Sequence, residues 1–149
     1  MAQPLERKRI VMNFSTPPQA DDMYAVAVAI VEAMPAELDT FCEEMELLID
    51  EFAPREVLDE LDVESEFDLL AVYRARAEKI PGVVSKSAND SRSLTLFRRP
   101  ILDLWCDTGE DLVTLLRNVI VSEVAQSNGY SDEEIEALCT AANEAAAAF

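Results

Sequence analysis

Histidine is absent from all 149 residues. That removes the commonest general base at neutral pH and the commonest zinc ligand. Cysteine is scarce: Cys42, Cys106 and Cys139 are odd in number and far apart. Their spacing fits neither a disulfide framework nor a CxxC metal site, so they read as reduced thiols packed as small, half-buried hydrophobes. Basic residues are few, 12 Lys and Arg against 30 Asp and Glu, for a formal charge of −18 and a pI near 4.1. Nucleic-acid binding rests on a basic footprint, and none is expected here. No apolar run approaches the length needed to span a membrane, and no membrane partner is expected. Arg7-Lys8-Arg9 precede Ile10–Phe14, but that apolar stretch is too short for a signal-peptide core, and Pro17-Pro18 follow it. A cytoplasmic protein is the expectation.

What is present points to a folded domain. Half of the residues are hydrophobic, and the length suffices for one core. Met1–Gln19 lack periodicity and read as an N-terminal tail, with residues 20–149 as the domain. Acids recur from Glu37 to Asp68, where Arg55 is the only base, and bases dominate from Arg74 to Arg99. The acidic stretch is either a solvated face or a docking face for a basic partner.

Asp21 or Asp22 can cap a helix that runs to about Met34. Pro35 opens a short helix over Ala36–Cys42. Glu46–Phe52 reads as a strand, Arg55–Leu61 as a short helix and Leu69–Tyr73 as a second strand. Tyr73 to Ser93 reads as a mobile loop. Leu94–Phe97 reads as a third strand ended by Arg98-Arg99-Pro100, followed by a helical turn, Ile101–Cys106, that buries Trp105. Asp107 or Thr108 caps a long helix over Glu110–Asn128, where Gly129 supplies the left-handed stop. Ser131 and Glu134 form a capping box for a last helix, whose tail from Ala141 is expected to fray. The order predicts an α+β fold in a single small domain, with a short sheet of about three strands packed against the long helix.

One residue of that helix is out of place. Leu112, Leu115, Leu116, Val119 and Ile120 share one side at the helical period, and Glu123 falls within roughly 20° of Leu112. A carboxylate at the centre of an apolar face is costly unless it is paired or opens onto a cleft. Arg98, Arg99 and Arg117 are candidate partners, and Ser122 and Gln126 lie on the flank of the same arc.

Ser122-Glu123-Val124-Ala125-Gln126-Ser127-Asn128-Gly129-Tyr130-Ser131-Asp132 resembles the motif His-Glu-x-x-His-x-x-Gly-x-x-Asp. That motif marks a small bacterial family of zincin-like metallopeptidases, the minimal matrix-metalloprotease-like domains. Leu96–Trp105, Ser65–Tyr73 and Met34–Leu38 are similar to the family's flanking segments, so the resemblance runs from about Asp22 to about Glu136. It implies a zincin-like fold. It places Glu123 at the general-base position and Ser122, Gln126 and Asp132 at the metal-ligand positions, with Gly129 as the structural turn. A hydroxyl and an amide are poor zinc ligands, so these positions read as vestigial, with no metal and no cofactor expected. The expected function is therefore that of a catalytically degenerate homologue, a pseudopeptidase that binds a protein or peptide partner. Two alternatives stay open: an active metallopeptidase whose zinc has atypical ligands, and an acidic inhibitor or antitoxin-type interaction protein.

Overall fold

The computed structural model describes residues 17–75 and 92–147. Helix α1 spans Ala20–Glu32, and the Gln19 N–H donates to Asp22 Oδ2 at 3.0 Å to cap its first turn. Its buried residues Met23, Val26, Ala27 and Ile30 recur at three and four, the spacing of one helical face. Pro35 precedes α2 (Ala36–Asp39), which tightens into a 3-10 turn over Thr40–Cys42. Strand β1 is Glu46–Asp50, and α3 is Arg55–Glu60, with Pro54 at its N-cap. A 3-10 turn over Glu66–Asp68 leads into β2, Ala71–Arg74, and β3 is Ser93–Phe97. Helices α4 (Arg98–Thr108), α5 (Leu112–Ser127) and α6 (Asp132–Ala147) complete the order. This is the α+β arrangement expected, with three strands among the described residues.

The strand order is β1-β3-β2, with β1 parallel and β2 antiparallel to the central β3. Alternation divides the sheet into two faces. Leu47, Ile49, Ala71, Tyr73, Leu94 and Leu96 join the main core with α1 and α5. Val72 and Phe97 join Ala53 and Leu58 of the Asp50–Leu70 segment in a smaller cluster. No helix among the described residues is long and apolar enough to cross a membrane.

Several expected boundaries move. The third strand ends before Arg98-Arg99-Pro100 as expected, and those residues form the first turn of α4, where proline is tolerated because early helical N–H groups have no partner in the helix. Helix α4 is longer than the turn expected, and Trp105 is half-buried, not buried. Gly109, at φ 72°, ends α4, so Asp107 and Thr108 belong to that helix and do not cap α5. Asp111 caps α5, its Oδ2 accepting from the Thr114 N–H at 3.0 Å. The tail after Ala141 stays helical to Ala147 because Asn143 is anchored to α5: it donates to Asn118 Oδ1 and accepts from Arg117. All three cysteines are free; Cys42 and Cys139 are half-buried as expected, whereas Cys106 lies exposed. Burial pushes the Cys42 thiol up to about 11, with Asp39 adding to it. Residues 1–16 of the expected tail, and 76–91 of the expected loop, lie outside the described residues. Pro18 is buried, and its carbonyl accepts from Arg98 Nε at 2.8 Å.

Candidate functional site

Helix α5 is held by its apolar face. Leu116, Ile120 and Val124 are fully buried one turn apart, so the residues between them are aimed by packing. The helix stops where expected. Gly129 has φ 88°; its N–H bonds Gln126 O at 3.2 Å, and the Tyr130 N–H bonds Ala125 O at 3.1 Å. That pair of bonds is a Schellman stop, and the left-handed residue it needs is easiest for glycine. Ser131 and Glu134 then close the expected capping box at 3.2 and 2.8 Å and launch α6.

Glu123 reaches from α5 to the sheet. Its Oε2 accepts from the Tyr73 backbone N–H at 3.1 Å and from Ser127 Oγ at 3.2 Å. The Phe97 N–H bonds Leu70 O, and the register sets Tyr73 opposite Leu94. Bonded and non-bonded pairs alternate in an antiparallel ladder, so Tyr73 turns its amide away from β3. The carboxylate therefore satisfies an outward-facing N–H at the edge of the sheet. None of the arginines considered for Glu123 pairs with it. Arg98 bonds Glu51 at 2.9 Å, Arg99 lies over the Phe52 ring at 5.5 Å, and Arg117 bonds Asn143. Arg74 acts on Glu123 through its charge, while its guanidinium bonds Glu60 at 2.7 and 2.8 Å.

The other motif positions are not gathered around Glu123. Ser122 faces α6, with its Oγ 3.5 Å from Cys139 Sγ. Gln126 and Asp132 are exposed. Ser127, not Ser122 or Gln126, bonds Glu123. Ser127 and Tyr73 escaped the sequence reading. Ser127 left a signal, since residues four apart share a helix face. Tyr73 left none, because fifty residues separate it from Glu123. Two phenols tie down the segment facing the site: Tyr73 Oη donates to Phe41 O at 2.8 Å, and Tyr130 Oη to Glu37 O at 3.4 Å.

The resemblance implies zinc, and the side chains present do not fit it. One ligand position is a hydroxyl against a thiol, the next is an exposed amide, and the carboxylate between them serves a backbone amide. Among the described residues no group of three His, Cys, Asp or Glu side chains is placed to hold a metal ion. Zinc sites need several such donors together.

Burial raises the pKa of Glu123 above the ordinary glutamate value of 4.5, outweighing the Tyr73 N–H, the Ser127 hydroxyl and the Arg74 charge, which lower it. A carboxyl whose pKa is raised on folding favours the protonated native state. The penalty on the charged form is absent below the unfolded value and present in full above the folded one. Glu123→Gln is therefore expected to gain in denaturant midpoint over wild type at neutral pH. The gap should close as pH falls through the carboxylate range. A variant less stable than wild type at pH 7 would reverse the sign of this balance.

A family model described as zincin-like metallopeptidase matches residues 42–141, about two thirds of the chain. The match takes in all three strands, α4, α5, Glu123 and the Gly129 stop, and leaves Met34–Leu38 outside. No curated protein matches the chain.

Proposed function

We propose a binding role, not a hydrolytic one, for this chain, which belongs to the zincin-like metallopeptidase family. The observation that carries the reading is the state of Glu123. At the position where the family's motif has a general base, the Oε2 of its carboxylate is engaged by the Tyr73 N–H and the Ser127 hydroxyl. The donor set points the same way, because Ser122 and Gln126 offer neither imidazole nor thiolate. What the family fold leaves is a helix beside a strand edge and a strongly acidic surface, which suit a peptide or protein partner of basic character.

The deciding measurement is metal content per chain by elemental mass spectrometry, on protein purified without a histidine tag. Zinc far below stoichiometric is expected, together with no hydrolysis of a peptide library beyond that of Glu123→Gln. Stoichiometric zinc, or chelator-sensitive cleavage that Glu123→Gln abolishes, would instead establish a metallopeptidase with atypical ligands.

A further inference from the structure

Two aromatic rings meet outside both hydrophobic clusters. Phe52 lies just beyond β1, and Phe67 stands in the 3-10 turn Glu66–Asp68. Their centroids are 5.1 Å apart, with the planes at 81°. Phe52 already carries a cation, the Arg99 guanidinium, 5.5 Å over its ring. Phe67, the other half of the pair, is 42% exposed. We propose that Phe67 is the docking point for an arginine of a basic partner: the guanidinium lies over the ring and pairs with the carboxylates of Glu66 and Asp68. The inference rests on the binding role above for the partner's basic character and places the contact on a different segment from Glu123.

The turn presents these three side chains as one fixed group. The Phe67 N–H donates to Ser65 Oγ at 3.2 Å, and the Asp68 N–H to Ser65 O at 2.9 Å. A 3-10 turn advances about 120° per residue, so Glu66 and Asp68 leave it on either side of Phe67. Both are exposed, and among the described residues neither is in an ion pair. The charge around the ring decides what can cover it. An apolar partner would strip water from two carboxylates and return nothing to them. A second copy of the chain would bring another −18 charge to an acidic surface. A guanidinium satisfies ring and carboxylates together, since it stacks on aromatic faces and donates in a planar fork. An ammonium is a compact, strongly hydrated charge and gains less from the ring.

The test uses the full chain, labelled for amide NMR, at physiological salt. The probe is a blocked peptide of alternating arginine and glycine, with a lysine–glycine copy beside it. Shifts should centre on Ser65–Leu69, and the arginine peptide should bind about two- to fivefold tighter than the lysine copy. Phe67→Leu, which keeps an apolar side chain in the turn, should remove that preference. Glu66→Gln with Asp68→Asn should weaken both peptides and leave their ratio in place. Equal binding of the two peptides, a preference that survives Phe67→Leu, or shifts centred elsewhere on the acidic surface would overturn the proposal. So would a sedimentation mass of two chains whose association Phe67→Leu abolishes, which would give the ring to a second copy. Each readout is independent of metal content: stoichiometric zinc would remove the binding role at Glu123, and the arginine preference at Phe67 would still stand or fall by itself.

Discussion

Leu116→Ala should cost about 3–4 kcal/mol, read as a lowered urea midpoint with an unchanged slope. Leu116 is 0% exposed in the middle of α5, and the same face carries Ile120 and Val124, equally buried. Truncation removes the transfer energy of the lost methyl groups and leaves a cavity where α5 meets the main core. The walls are strands and helices with anchors of their own, so little collapse is available. Net stabilities of domains lie near 5–15 kcal/mol, so this one change takes a large share. Gln126→Ala is the matched control. Gln126 lies on the same helix but is exposed, and a change within about 0.5 kcal/mol is expected. Similar losses in the two variants would mean that the exposed side of α5 is packed as well.

Tyr73→Ala should cost about 3–5 kcal/mol, and most of that should remain after the hydroxyl is accounted for. The ring is 5% exposed within the main core, and the hydroxyl donates to Phe41 O. Tyr73→Phe keeps the ring and leaves the Phe41 carbonyl without this donor, for about 1 kcal/mol. The two variants thus separate packing from tethering. Burial already pushes the Tyr73 phenol pKa up, as a protonated donor in an apolar setting should behave. Tyr73→Phe should also loosen the Thr40–Cys42 turn, seen as faster amide exchange there. Equal stability of Tyr73→Phe and wild type would show that water replaces the phenol without loss.

The elements that were legible in the sequence carry their own local chemistry. Pro35 and Pro54 stand immediately before helices, Gly129 is left-handed where a stop was expected, and the Ser131–Glu134 box closes as spaced. The long helix was legible from its apolar period, and Glu123 from its conflict with that period. What was not legible depends on partners distant in the chain. Asp107-Thr108-Gly109-Glu110 has the spacing of a capping box, but Gly109 terminates α4 and Asp111 takes the capping role. Two helices meeting at one glycine offer two competing sets of local signals, and packing of α4 decides between them. The tail from Ala141 reads as weakly held because alanine has almost nothing to bury; its anchor, Asn143, acts through Asn118 and Arg117 on another helix. The same limit applies to the site. Periodicity placed Glu123 inward and could not say that the group it would meet is a backbone amide fifty residues away.

Arg98 has a mechanical consequence. Its Nε holds Pro18 O at 2.8 Å while a guanidinium nitrogen holds Glu51 Oε1 at 2.9 Å, and the next residue's N–H bonds Glu51 O at 3.1 Å. This clasp joins the approach to α1, the end of β1 and the start of α4. Tension applied ahead of Pro17 would be borne first at this junction, as a sideways load on the strand ends, before any turn of α1 is unwound.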